Sequence, residues 1–201
     1  MLRTAAIALF AAGWIPVFLL RSERYSERHA NAEAEERRAM WNAVLAVAVH
    51  VTLCELALHA AGVAMPAAAD ISMPAMAGNG VPAARFAVGM LVFLVGLAFW
   101  TLGRHTLVGY GRLLDPSSPP PVLVTHGPFA LVRHPLALGM VILALGPAVA
   151  AATPLTWASF AVVVVALARR CMQDEPELRA TFGAAYDDYA ATTKRLVPFV
   201  W

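Results

Sequence analysis

The sequence predicts an all-α integral membrane protein with about five transmembrane helices, a C-terminal helical hairpin and a cytosolic amphipathic helix. Three observations lead to this fold class. Hydrophobic residues make up 60% of the 201-residue chain and charged residues only 14%, whereas about 25% are charged in a typical soluble domain. Several apolar runs approach or reach the roughly 17 to 25 residues that cross a bilayer as a helix. Lys and Arg are concentrated in alternate connecting segments.

The first half of the chain contains three predicted membrane spans, which define a domain over residues 1–105. These spans cover residues 2–20, 43–65 and 86–102. We interpret the first as a retained helix and not as a signal peptide. Only one basic residue, Arg3, lies at its start, and the charged segment that follows lacks a small-residue cleavage site. The second carries Glu55 and His59 at i,i+4 spacing. That pair indicates either a functional site or an internal hydrogen bond between packed helices.

A second domain, residues 106–201, begins with the proline-rich segment 115–121, which cannot be helical. Two apolar runs follow, 136–152 and 155–168, separated by Thr153-Pro154. Each is short for a membrane span, so together they predict a tight helical hairpin. The residue before a proline disfavours helix, and proline is common at the first helical position. We therefore expect the hairpin to begin at or near Pro135.

Beyond the hairpin, Pro176 is predicted to end the preceding helix, and an amphipathic helix is predicted after it. Residues 177–193 repeat apolar side chains at three- and four-residue spacings, which is typical of an amphipathic helix. The apolar stripe consists of Leu178, Phe182, Ala185, Tyr186 and Tyr189. Such a helix suits the cytosolic interface of a membrane. An extended tail is expected from Lys194 onward.

Basic residues predict the orientation of the spans. Segments 21–42, 103–135 and 169–201 contain five, three and five Lys or Arg residues. With five spans, all three segments share one side, which is therefore cytosolic, and the N-terminus lies outside. The spans predict a multi-pass membrane protein, and the Ala-rich chain indicates a bacterial inner membrane. A net charge of +2 gives no basis for nucleic-acid binding.

Metal and disulfide sites are not expected. Met65, Met73 and Met76 lie in an Ala/Met-rich loop, and their spacing is too loose to predict a soft-metal site. Cys54 and Cys171 fall on different predicted helices at different depths, so no disulfide is predicted.

Two polar blocks flank the predicted hairpin. The first contains Arg133-His134, and the second contains Arg170, Asp174 and Glu175. Each block alone fits a solvated anchor at the membrane edge. The topology places both on the cytosolic face, so we expect them to meet there and form a site.

The residues of these blocks resemble the two signatures of a membrane methyltransferase family. Gly127-Pro128-Phe129, Arg133-His134-Pro135 and Gly139 are similar to its G-P-Y…R-H-P-x-Y-x-G pattern. The second motif, E-E-x-x-L-x-x-x-F-G-x-x-Y-x-x-Y…P, is matched by Asp174-Glu175-Pro176-Glu177-Leu178, Phe182-Gly183, Tyr186, Tyr189 and Pro198. The family comprises the isoprenylcysteine carboxyl methyltransferases and the related phospholipid methyltransferases. The resemblance covers about residues 110–201.

The resemblance implies S-adenosylmethionine as methyl donor and a helical membrane fold. Carried over position by position, it predicts cofactor contacts at Pro121, Val122, Leu123, Val124, Phe129, His134, Pro135, Leu136, Ala137 and Asp174. It assigns catalytic positions to Arg170, which corresponds to an acceptor-contacting residue, and to Glu175, the second acidic residue of the pair. The expected partners are membrane lipids and a lipophilic or small-molecule acceptor.

The resemblance leaves the acceptor open. Carboxyl O-methylation of an isoprenylcysteine-like compound is the first interpretation, and such a carboxylate is already ionised and needs no base. Methylation of a thiol sulfur or of a phospholipid amine is the alternative, and would require Glu175 or His134 to remove a proton. A membrane scaffold or transporter subunit is the non-enzymatic alternative. Ala137 and Phe129 stand where the family usually has Tyr, and either difference affects the acceptor site.

Overall fold

The computed structural model describes residues 83–113 and 122–197. The predicted spans 2–20 and 43–65, with Glu55 and His59, lie outside the described residues, as do Cys54 and Pro121. Within the two described ranges the chain is helical apart from turns, short connections and one isolated parallel bridge. The prediction of an all-α fold is confirmed for this part of the chain.

Four α-helices and one short 3-10 helix make up the described structure. They are α1 (Ala83–Leu113), the 3-10 helix Gly127–Ala130, α2 (Pro135–Ala151), α3 (Pro154–Phe182) and α4 (Ala184–Thr192). The predicted run 86–102 lies inside α1, and the run 136–152 coincides with α2 to within one residue. Two helices are long and apolar enough to cross a membrane, Ala84–Leu107 within α1 and Pro154–Phe182, whereas α2 is shorter.

The boundaries of α2 and α3 follow from local chemistry. Proline lacks an amide proton, and at the first position of a helix none is needed, so α2 begins at Pro135 as predicted. Thr153 precedes α3 and exchanges hydrogen bonds with Thr156. The amide of Thr156 donates to Oγ1 of Thr153 at 3.1 Å, and the amide of Thr153 donates to Oγ1 of Thr156 at 3.1 Å. This reciprocal pair works as a capping box does and fixes the first turn of α3.

Pro176 does not end the helix that precedes it, so the predicted break there is wrong. It lies inside α3, which continues to Phe182. A proline within a helix removes one hydrogen bond and crowds the preceding turn, but ion pairs of the adjacent Glu175 hold that turn in place. The break comes at Gly183, whose φ of 55° favours glycine. The predicted amphipathic helix 177–193 is therefore divided between the end of α3 and α4.

The described residues divide into two compact units. In the unit that contains 83–93 and 144–166, α1 and α2 meet through glycine. A Cβ on Gly89 would lie 2.6 Å from the carbonyl oxygen of Gly146, and a Cβ on Gly146 would lie 2.7 Å from that of Gly89. Arg85 donates from Nη2 to the carbonyl of Ala151 at 3.3 Å in the same unit.

The second unit contains 94–113, 122–143 and 167–197, and it carries all the residues of the candidate site. Here too glycines allow close backbone approach. A Cβ on Gly139 would lie 2.8 Å from the backbone of Trp100, and one on Gly96 would lie 2.8 Å from the carbonyl carbon of Ile142. Small residues allow this packing between apolar helices, and it holds the beginning of α2 firmly against α1.

Candidate active site

The segment before α2 is fixed by the C-terminal tail, residues 193–197. Val132 and Lys194 form a parallel bridge. The amide of Arg133 donates to the carbonyl of Lys194 at 2.8 Å, and the amide of His134 donates to that of Arg195 at 3.1 Å. Two amides that precede a helix are thus satisfied by the tail rather than by water. The non-helical tail predicted from Lys194 is confirmed over 194–197.

One carboxylate joins the two polar blocks. Glu175 Oε1 accepts from Arg133 Nε at 3.0 Å, from Arg133 Nη2 at 2.8 Å and from Arg195 Nε at 2.8 Å. Arg195 Nη2 donates to the other oxygen, Oε2, at 2.6 Å. The side chains of Glu175 and Arg133 are 8% and 11% exposed, and that of Arg195 is 23% exposed. We call these three residues the Glu175 cluster.

Arg133 connects the cluster to the end of α4. Its remaining nitrogen, Nη1, donates to the carbonyl of Ala190 at 3.0 Å and to the carbonyl of Thr193. The last carbonyls of a helix have no partners within the helix, and a cation near them also interacts favourably with the helix dipole. Arg133 is therefore a C-terminal cap of α4 as well as an ion-pair partner.

The ring of His134 lies beside the cluster without joining it. Nε2 is 3.6 Å from Glu175 Oε1, which is too long for a hydrogen bond. Among the described residues this buried nitrogen has no hydrogen-bond partner. Buried polar atoms are normally satisfied, so His134 Nε2 is a group for which a ligand or a water would be a natural partner.

Two tyrosines of α4 pack beneath the site. The hydroxyl of Tyr189 donates to the carbonyl of Phe129 at 2.6 Å, which ties α4 to the 3-10 helix. Tyr186 is buried, and its ring meets that of Tyr189 edge to face at a centroid distance of 6.2 Å. Burial raises the pKa of both hydroxyls above the usual 10.0, because an apolar environment disfavours the phenolate. Tyr189 therefore remains a neutral donor.

The predicted cofactor residues fall into two groups by accessibility. Val122 is exposed, and Leu123, His134, Leu136 and Asp174 are partly exposed. The others are buried; they are Val124, Phe129, Pro135 and Ala137. Their side chains face the protein interior, so they have little surface to offer a ligand. Ala137 lies in the buried group, with 8% of its surface exposed.

The two predicted catalytic residues occupy different positions. Arg170 and Asp174 form an i,i+4 ion pair on α3 at 3.8 Å, and both remain partly exposed. Glu175 points the other way into the cluster. A buried carboxylate that accepts four hydrogen bonds from two guanidinium groups is held ionised, and its lone pairs are committed. That state makes it a poor proton acceptor.

Neither the motifs nor the helical spacing predicts a role for Arg195 or for the backbone of the tail. The charge pattern places Arg195 only among the basic residues of the cytosolic side, and 20 positions separate it from Glu175. Tyr189 is predicted on the apolar stripe and at a motif position, but neither observation predicts the hydrogen bond of its hydroxyl. No group of three or more His, Cys, Asp or Glu side chains that could hold a metal occurs in the described ranges.

Comparison with known proteins defines the class. The phospholipid methyltransferase family model matches residues 84–185, about half of the chain, and the chain belongs to this family. The match includes α1, α2, α3 and the first residues of α4. The resemblance on which the two motifs were interpreted is thereby confirmed.

Two relatives are named for a narrower activity. Protein-S-isoprenylcysteine O-methyltransferase A of Arabidopsis thaliana is 40% identical over 79 residues, which is 39% of this chain and 40% of the relative. A probable protein-S-isoprenylcysteine O-methyltransferase of Oryza sativa subsp. indica is 35% identical over 79 residues, 39% of this chain and 41% of the relative. The aligned region thus spans about two fifths of each relative.

Proposed function

We propose that this protein is an integral-membrane, S-adenosylmethionine-dependent methyltransferase that O-methylates the carboxylate of an isoprenylcysteine-like, lipophilic acceptor. Membership of the phospholipid methyltransferase family supports the reaction class. The names of the relatives support the acceptor. The observation that carries the proposal is the contact between Arg133 and Glu175, because it joins the two motif blocks 42 positions apart into one site.

The residues around the beginning of α2 fit the donor. The first helical hydrogen bond there runs from the amide of Leu138 to the carbonyl of His134 at 3.1 Å. The amides of Leu136 and Ala137 precede it, and such first-turn amides attract anionic groups like a carboxylate. His134 Nε2 offers a further polar contact, and Val122 and Leu123 offer accessible backbone and apolar surface. S-adenosylmethionine, when bound, supplies an activated methyl group.

Arg170 is the proposed acceptor residue. Its guanidinium is partly exposed on α3 one turn from the ion-pair partner Asp174, so it can exchange part of that pair for an acceptor carboxylate. Guanidinium groups bind carboxylates in a bidentate manner. An oriented carboxylate needs no deprotonation, which suits a site whose buried carboxylate, Glu175, is committed to two arginines. Positioning then supplies much of the rate.

Methylation of a phospholipid amine is the second candidate, because the family model is described as a phospholipid methyltransferase. An amine must lose a proton, and Glu175 is poorly suited to accept it. His134 would be the base in that case, and the same holds for a thiol acceptor. The two candidates therefore differ in the role of the His134 ring, which must remove a proton from an amine acceptor but need only bind the donor when the acceptor is a carboxylate.

The topology is part of the proposal. It comprises five spans, of which three lie in residues 1–105, and a hairpin of α2 and α3 in the catalytic region 106–201. The polar residues of the site face the cytosol of a bacterial inner membrane. The two apolar helices that could span a bilayer and the family membership support membrane association. Donor would reach the site from the cytosol and a lipophilic acceptor from the bilayer.

Titration of the detergent-purified protein with S-adenosylhomocysteine tests the reaction class. We expect saturable binding that is weakened by His134→Ala and unchanged by Arg179→Gln, since Arg179 pairs with Asp187 on an exposed surface. Absence of binding by the wild-type protein would refute the class.

Transfer from methyl-labelled donor to prenylcysteines, thiols and aminophospholipids then tests the acceptor. Label on a prenylcysteine, as an alkali-labile ester, supports the first candidate. Label on a phospholipid amine in its place would establish the second.

A further inference from the structure

The tail, residues 193–197, contacts both the segment before α2 and helix α3. Residues Thr193 and Leu196 are buried, and the carbonyls of Lys194 and Arg195 accept the two amides before α2. The Arg195 side chain reaches back to α3, where it makes two hydrogen bonds to Glu175. Backbone and side chain of one residue thus hold two different elements of the same unit.

These contacts converge on His134. Its amide is held by the carbonyl of Arg195, and its ring lies beside the carboxylate that the Arg195 side chain holds. The backbone of His134 is therefore held by Arg195 directly, and its ring lies 3.6 Å from the carboxylate that the Arg195 side chain holds. The neighbouring Arg133 cannot replace this function, because its three side-chain nitrogens are already divided between Glu175 and the end of α4.

We propose that Arg195 is a positioning residue for the methyl-donor site, which locks the tail 193–197 between Glu175 and the segment before α2 and thereby fixes His134. It touches neither donor nor acceptor and acts through Glu175 and through the backbone of His134. The inference rests on the proposed function in so far as His134 binds the donor. The restraint that the tail places on residues 133–134 does not depend on which reaction the protein catalyses.

The test compares the full-length Arg195→Gln and Arg195→Lys variants with Arg179→Gln in detergent. Arg179 is a matched control, because it is an arginine of the same unit that is paired to a carboxylate at 2.6 Å but is 52% exposed. We expect Arg195→Gln to weaken S-adenosylhomocysteine binding about tenfold to a hundredfold, the loss seen when a residue that orients a metal-binding histidine is removed. Arg195→Lys should recover part of this loss, because it retains the charge but not the paired nitrogens.

Hydrogen exchange supplies a readout independent of the ligand. The peptide that contains Arg133 and His134 should exchange faster in Arg195→Gln, because the tail that carries the two acceptor carbonyls is no longer anchored to Glu175. Peptides of α1 should not change. In turnover with saturating acceptor, the donor KM should rise in this variant and the acceptor KM should stay constant. A purely structural role would lower the melting temperature without separating the two KM values.

The outcomes distinguish the inference from the proposed function. Unchanged exchange at residues 133–134 in Arg195→Gln overturns the inference, as does wild-type affinity for S-adenosylhomocysteine in that variant. If the wild-type protein does not bind this ligand, the proposed function fails, and faster exchange would still support the lock. If Arg195→Gln does not fold, Arg195→Lys carries the same comparison, with a smaller expected change in both measurements.

Discussion

Replacement of Glu175 by glutamine should destabilise the protein although the two side chains have nearly the same shape. The carboxylate accepts three hydrogen bonds at Oε1 and one at Oε2. A glutamine oxygen in the first position can keep three of them. Its amide group would then place a donor against the donor Nη2 of Arg195, and the negative charge between two guanidinium groups would be lost.

The magnitude follows from the burial of the three side chains. Removal of one partner from a buried ion pair costs roughly 3 to 5 kcal/mol. Arg133 is almost as deeply buried as Glu175, but Arg195 is 23% exposed, so solvent screens part of the unpaired charge. We therefore expect Glu175→Gln to lose about 2 to 3 kcal/mol of the free energy of unfolding, at or just below the lower limit of that range.

Chemical unfolding in a fixed detergent, followed by tryptophan fluorescence, measures this loss. Asp187→Asn is the control, because it removes a carboxylate from an equally short arginine pair on the surface of the same unit, and exposed pairs contribute little. A loss below about 0.5 kcal/mol in Glu175→Gln, the range of ordinary surface substitutions, would refute the reasoning that the carboxylate is structurally required.

Three further perturbations test other parts of the structure. Gly96→Ala should lower the free energy of unfolding by about 1 to 3 kcal/mol through overpacking. Gly103→Ala should not lower it, because its Cβ would meet its nearest neighbour at 3.5 Å, and denaturant titration compares the two variants. Burial raises the pKa of Tyr189 in the folded state, so the stabilising contribution of its neutral hydroxyl is intact below pH 10.0 and is lost as pH rises toward the folded-state pKa. Tyr189→Phe should reduce this decline when the free energy of unfolding is measured against pH. Arg170→Ala should raise the acceptor KM about tenfold or more in labelled-methyl assays while donor affinity stays constant, since one charge-assisted contact accounts for that much.

The sequence was most informative where local chemistry decides the backbone. The boundary of α2 was predictable because the residue before Pro135 avoids helix and proline suits the first helical position. The meeting of Arg133 with Glu175 was predicted in outline, from charge placement and from the family motifs. In both cases a signal of a few residues was sufficient.

Tertiary contacts account for the rest. Pro176 was predicted to end a helix, and it does not, because the turn before it is held by Glu175 and its two arginines. The role of Arg195 depends on a pairing between residues 132–134 and 194–195, about 60 positions apart. No periodicity or spacing within a helix encodes such a pairing, so it could be found only in the folded chain.

The continuity of α3 through Pro176 has a consequence for how this sequence can change over evolution. Glu175 is joined to the preceding turns by rigid helix rather than by a loop. One residue inserted or deleted ahead of it would turn the carboxylate by about 100° around the helix axis and shift it by about 1.5 Å. The carboxylate would then miss both guanidinium groups. A length change between Cys171 and Glu175 should therefore disrupt the Glu175 cluster even where every side chain of the cluster is kept.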